Sequence, residues 1–200
     1  MIIGLDFETT GLDTATVDII EIALVLYTDQ LEELDSYTAV LHLEDDKIAE
    51  CNEIVLKMHT ENGLWEDVRD SELGVEFLDA DLKVLLDGWD SYGNLKRTPL
   101  LGNSVHFDRT LLRRFFPEIE SRLSHRNVDV SSFNEMARRW DPVAVPRTHM
   151  THRAIDDVRE SARTLLEYRR TWLNPTIRVR LQAWTSKLMS KLSGVFKRTR

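Results

Sequence analysis

Carboxylates two residues apart on a strand project from the same face. Asp6 and Glu8 have that spacing at the end of an apolar run that reads as a strand over residues 2–7. Beside Ile2, Ile3 and Leu5 such a pair is costly without a cation, which leaves two readings: a shared metal ion, or a strand end where both groups reach water. Asp108 is a second interruption of an apolar surface. In a helical projection of residues 105–116, Val105, Leu111, Leu112, Phe115 and Phe116 share one arc, with Asp108 near its middle. A carboxylate so placed must be paired, protonated or metal-bound. Arg109 and Arg113 are the nearby candidates for pairing, and both project away. Farther on, Ala154, Val158, Leu165 and Trp172 mark the core face of a helix, with Asp156 nearly opposite and Asp157 at the edge. Asp157 is therefore the better ligand. His152 precedes it by five residues, about 140° around an unbroken helix, and so belongs on the entering loop. There it caps the helix, lies exposed, or swings toward a bound phosphate.

Four oxygen-donor residues suit Mg²⁺ or Mn²⁺ better than zinc. Two such ions about 3.5–4 Å apart activate a water and stabilise the leaving oxygen in a displacement at phosphorus. A histidine, with an ordinary pKa near ~6.5, serves as proton acceptor at neutral pH. On chemistry alone, His42, His106, His125 and His149 are background.

The elements that must position these groups alternate in type. Residues 18–28 and 34–43 read as two further strands, forming an antiparallel meander with the first. A weak helix follows over residues 46–59, then an amphipathic one over 71–89 carrying Leu73, Phe77, Leu78, Leu82, Leu85 and Leu86. A strand at 99–101, a helix at 105–116, a strand at 127–130 and a helix at 132–140 continue the chain as parallel additions to the sheet. After a proline-marked loop at 141–147, a long helix spans about 153–172, and Asn174-Pro175 closes the domain.

Two hundred residues at 42% hydrophobic and 30% charged bound the chain to one domain, residues 1–173, with an appendage at 174–200. The apolar run at 19–27 is interrupted by Glu21 and falls short of the roughly 18 residues a membrane span needs. The N-terminus lacks the pattern of a secretory signal, so the expected compartment is the cytoplasm. The single Cys51 excludes an internal disulfide framework. The net charge of −8 conceals an asymmetry: residues 174–200 hold seven basic residues and no acidic one, leaving 19 basic against 34 acidic in residues 1–173. An acidic body disfavours long polyphosphates and points to short substrates. In the tail, Ile177, Leu181, Trp184, Leu188, Leu192 and Val195 fall on one helical stripe bordered by Arg180, Lys187 and Lys191. This basic amphipathic helix has four candidate partners: its own domain, a second subunit, RNA, or an anionic membrane surface.

Three segments carry a family resemblance: Asp6-Phe7-Glu8-Thr9-Thr10-Gly11-Leu12, Gly102-Asn103-Ser104-Val105-His106-Phe107-Asp108-Arg109, and His152-Arg153-Ala154-Ile155-Asp156-Asp157-Val158-Arg159-Glu160-Ser161. The sequence resembles the DEDDh 3′-to-5′ exonucleases of the ribonuclease H-like superfamily, and among them the oligoribonucleases. Further similarity at residues 58–64 and 129–140 extends it over about residues 1–173. The resemblance implies an α/β, ribonuclease H-like fold: a mixed five-stranded sheet, antiparallel in its first three strands, flanked by helices. It implies a homodimer that degrades short single-stranded RNA, down to dinucleotides, to nucleoside 5′-monophosphates. Asp6, Glu8, Asp108 and Asp157 would hold two divalent cations, with His152 as general base. Leu12 would wedge between bases, His59, Ser104, Arg126 and Ser131 would surround the terminal phosphate and backbone, and His125 would stack or donate in the capping segment. Thr9 stands where oligoribonucleases carry methionine, His125 where they carry tyrosine, and Ile54 where several carry tryptophan. These departures keep a second enzyme reading in view, a DNA-directed or RNA-trimming exonuclease of proofreading type. From another class, an inactive nucleic-acid-binding module is opposed by the complete catalytic set.

Overall fold

The computed structural model of the chain describes residues 1–142 and 145–172. Three strands open it: β1 (Ile2–Thr9), β2 (Ile19–Tyr27) and β3 (Glu33–Val40). Three short helices follow, α1 (Asp45–Ala49), α2 (Glu53–Glu61) and α3 (Leu64–Asp70), then the longer α4 (Val75–Trp89). The second half contains β4 (Leu100–Gly102), α5 (His106–Phe115), α6 (Pro117–Arg122), β5 (Asn127–Asp129), α7 (Val130–Trp140) and α8 (Ala154–Thr171). The strands form one mixed sheet in the order β3-β2-β1-β4-β5. β1 pairs antiparallel with β2, as β2 does with β3. β4 joins β1 in parallel, and β5 joins β4 in parallel. The sheet and its flanking helices match the expected ribonuclease H-like architecture.

The period-two pattern of β1 divides the molecule. Ile3, Leu5 and Phe7 face a core built with Leu78, Leu82, Leu86 and Trp89 of α4 and Leu111 and Leu112 of α5. The opposite face carries Ile2, Ala23, Val25 and Tyr27 against Ala154, Val158, Ala162 and Leu165 of α8. Gly4 lies on that face because α8 comes too close for a side chain: a Cβ there would stand 2.4 Å from Val158 Cγ1. β2 is buried at all nine positions, as expected of a strand covered on both faces. β3 is the exposed edge.

Element boundaries depart from the sequence reading where local chemistry intervenes. The expected helix over residues 46–59 is two helices, because Asn52 accepts from the N–H groups of Ile54 and Val55 and starts α2 anew. α3 was not anticipated; it begins after Gly63, whose φ of 78° few other residues tolerate. α6 was not anticipated either, and Pro117 at its first turn separates it from α5. The third strand stops at Val40, short of residue 43, and the helix expected from residue 71 starts at Val75. The tail at 174–200 lies outside the described residues.

Candidate active site

The central strand supplies the first two carboxylates. Even-numbered residues of β1 face α8, so Asp6 and Glu8 point toward the helix that bears Asp157. Asp108 arrives from the other side. β4 ends at Gly102, opposite Leu5, so the next β1 amide aimed at that edge, Phe7 N–H, has no strand partner. It donates instead to Asp108 Oδ1 at 3.0 Å, which ties the first turn of α5 to the end of β1. Gly102 permits this turn, since a Cβ would lie 3.0 Å from the Leu5 carbonyl oxygen and 3.2 Å from Val105 Cβ. Arg109 is buried but turns away from Asp108, donating to Glu120 Oε1 and to the Ser124 and Arg126 carbonyls.

Asp157 sits in the first turn of α8 and holds the loop before it. Its carboxylate accepts the Thr151 N–H at 2.8 Å and the His152 N–H at 3.2 Å. His152 is exposed and adopts φ 56°, a left-handed backbone. Asn62 fastens the same turn from the end of α2, donating to the carbonyls of Thr151 and His152. Ligand atoms of Glu8, His152 and Asp157 all lie within 4.8 Å of one another. Asp156 faces solvent.

Crowding of like charges in a buried place raises proton affinity. Burial, then Asp108, Glu8 and Asp157, push Asp6 well above the usual carboxylate range. Glu8 is pushed up to about 8 by burial and by Asp157, Glu21 and Asp108, against a lowering pull from Arg153. Burial raises Asp108 to about 7 despite the Phe7 N–H, and it raises Asp157 despite the Thr151 N–H. Three buried carboxyls and half-buried Asp6 converging, among the described residues, without a matching set of cationic side chains is the donor pattern that a hard divalent cation satisfies.

The remaining sequence-derived positions separate into two groups. Asp129, at the end of β5, accepts from Ser104 N–H at 2.9 Å, Ser131 N–H at 3.0 Å and Ser131 Oγ at 2.7 Å, and so joins Ser104 and Ser131 beside the site. Ser104 is held at φ 65°. Leu12 projects from the β1–β2 loop and is 87% exposed. That loop is pinned from α5 by Arg114, which donates to the Thr14 and Val17 carbonyls. His59 is fully buried, edge-on to Trp65 with Nε2 3.7 Å from Glu8 Oε2, and burial lowers its pKa to about 4. It stands behind Glu8 as a neutral ring. His125 and Arg126, both exposed, precede β5 at its other end. By strand register Arg126 is level with Ile2, four residues and roughly 13 Å along the strand from Asp6 at ~3.3 Å per residue.

Sequence reasoning missed Glu21, Arg153, Asp129 and Asn62, which hold the site together. The signal for Glu21 was present, a charge inside an apolar strand. No such signal marks Asn62.

Among the described residues no helix is long and apolar enough to cross a membrane. Residues 3–165 match the family described as Exonuclease. An oligoribonuclease of Rhodococcus jostii is 36% identical over 178 residues, covering 87% of this chain and 88% of that protein. One of Pasteurella multocida is 35% identical over 176 residues, covering 86% and 94%. In fold the chain is similar to E. coli exonuclease I in complex with a dA16 oligonucleotide, with TM-score 0.66 and 14% identity over 94% of this chain. The chain spans only 45% of that exonuclease I, so this likeness concerns the fold. With the family match covering most of the sequence and relatives matched along most of their length, the chain belongs to the exonuclease family, among the oligoribonucleases.

Proposed function

We propose that this chain is a 3′-to-5′ exoribonuclease that hydrolyses short single-stranded oligoribonucleotides, down to dinucleotides, to nucleoside 5′-monophosphates. The observation that carries the reading is the convergence of Asp6, Glu8, Asp108 and Asp157 at one end of the sheet, with His152 against Glu8 and Asp157. The four carboxylates would hold two divalent cations, Mg²⁺ or Mn²⁺. When bound, such a pair supplies Lewis acidity and neutralises charge on the phosphate. His152, tethered through its amide yet open to solvent, accepts the proton of the attacking water. The water oxygen bonds to phosphorus and the ribose 3′-oxygen departs, leaving a 5′-phosphate on the released nucleoside. Leu12 would separate the last two bases, Ser104 and Ser131 would face the backbone, and His59 would act from behind Glu8. Because His125 and Arg126 lie at the far end of β5, they would serve the site of a second subunit in a homodimer. The acidic body favours short strands, the compartment would be the cytoplasm, and the basic segment 174–200 would be an appendage to a domain over residues 1–173.

Digestion of labelled RNA and DNA strands of two to twenty nucleotides, with Mg²⁺ or Mn²⁺, tests this reading. Diribonucleotides should give the highest kcat/KM. Faster cleavage of long DNA would replace the reading by a DNA-directed exonuclease, the alternative favoured by Thr9. Equal, vanishing turnover by the parent and by Asp108→Ala would leave a nucleic-acid-binding module.

A further inference from the structure

Glu21 is the one charged residue of β2, and it is buried. It stands directly opposite Glu8 in the antiparallel register, on the same side of the sheet. Both of its oxygens are engaged at one place. Oε2 accepts the Ala154 N–H at 2.8 Å, and Oε1 takes Arg153 Nε at 3.2 Å and Nη2 at 3.1 Å. Arg153 Nη2 also reaches Asp67 Oδ2 at 2.8 Å, linking the turn to α3. Arg153 is the N-cap residue of α8, yet its side chain gives the helix no cap. Glu21 supplies that cap from another element, satisfying an amide that the helix cannot satisfy itself.

The clamped pair 153–154 lies between two functional residues. His152 immediately precedes it, and Asp157 follows it within the first turn of α8. We propose that Glu21 is a positioning residue of the active site: by fixing the start of α8 to the rung that carries Glu8, it sets where His152 and Asp157 stand relative to the β1 carboxylates. This rests on the exonuclease reading. A cap stabilises a helix wherever it forms; this one grips the backbone at the point where the catalytic loop becomes the ligand-bearing helix, so it also fixes what lies on either side. Direct outer partners of metal ligands are worth ~10- to 100-fold in metal affinity or activity; Glu21 acts through the backbone between His152 and Asp157, and small misplacements of reacting groups are costly in the same way.

The test uses the full chain with Glu21→Gln, Glu21→Leu, Arg153→Gln and the double Glu21→Gln/Arg153→Gln. With circular dichroism showing folded protein, Glu21→Gln and Glu21→Leu should lose ~10- to 100-fold in kcat on a diribonucleotide, with little change in KM. Mn²⁺ affinity by calorimetry should fall about tenfold. The double variant should be no worse than Glu21→Gln alone, since both changes break one connection. Folded Glu21 variants that keep parental kcat and Mn²⁺ affinity overturn the proposal. If neither Glu21 variant folds, Arg153→Gln decides, its side chain being partly exposed: parental kcat and Mn²⁺ affinity in it overturn the proposal. A parent that cleaves no strand sinks the nuclease reading alone, because the Mn²⁺ titration still judges the positioning. A parent that binds no Mn²⁺ overturns both.

Discussion

Asp108 illustrates how a single side chain carries both architecture and chemistry. Its carboxylate completes the hydrogen bonding of β1 through Phe7 N–H while standing among like charges. That crowding makes stability depend on pH in a definite direction. Glu8 and Asp108 retain protons in the metal-free fold up to about 8 and about 7, whereas in the unfolded chain they release them near pH ~4. Folding therefore takes up protons at these groups. Their contribution is fully present below about pH 4 and is lost as pH rises through 7 to 8. A divalent cation binding the ionised carboxylates opposes that loss, so the rise in Tm on replacing EDTA with Mn²⁺ should be larger at pH 8 than at pH 6. Equal rises at both pH values would refute the assignment of these groups as ligands. At this scale the sequence was informative where chemistry conflicts with pattern. Asp108 in an apolar arc and Asp157 at a helix edge stand out, and both are buried. Asn62 and Asp129 escape notice because an amide or carboxylate in a loop or at a strand end conflicts with nothing.

Elements set the distances between these groups, and their close approach is written in glycine. β1 and α8 meet at Gly4, where a Cβ would overlap Val158, the neighbour of Asp157. Gly4→Ala should therefore push α8 outward, destabilise the fold by about 1–3 kcal/mol as overpacking does, and lower kcat by misplacing Asp157. A denaturation curve with a paired kinetic assay checks it; an unchanged midpoint would show that α8 yields freely. The antiparallel meander, the parallel additions and the long helices were legible, because β2 is a continuous apolar run and α4 and α8 have apolar residues at helical spacing; the strand order was not. Neither was the region between β3 and α4. There Asn52 and Gly63 divide one weakly amphipathic stretch into separate helices whose shared core holds Ile48, Val55, Leu64 and Trp65. Such partition depends on capping and backbone sign, which hydrophobic spacing does not encode.

At the scale of the molecule, the parallel strands separate two sets of residues. The carboxylates gather at the C-terminal ends of β1 and β4, and His125 and Arg126 precede β5. If the proposed dimer brings one subunit's Arg126 to the other's carboxylates, subunits bearing Arg126→Ala and subunits bearing Asp108→Asn should complement. Mixing the two weakened proteins under exchange conditions should recover activity above either alone. No recovery, in a preparation shown by light scattering to be dimeric, would place Arg126 outside the site. Sequence patterns alone do not reveal this arrangement, since which end of a strand a residue occupies relative to a distant site emerges only when register is known.

His152 reaches the carboxylates only because its backbone takes a left-handed conformation, which asparagine tolerates better than alanine does. Both His152→Asn and His152→Ala should be inactive, yet the asparagine variant should be more resistant to heat than the alanine one by ~0.5–1 kcal/mol. Residue 152 must therefore satisfy a backbone demand as well as a chemical one, and an engineer hardening this enzyme should leave that one position untouched.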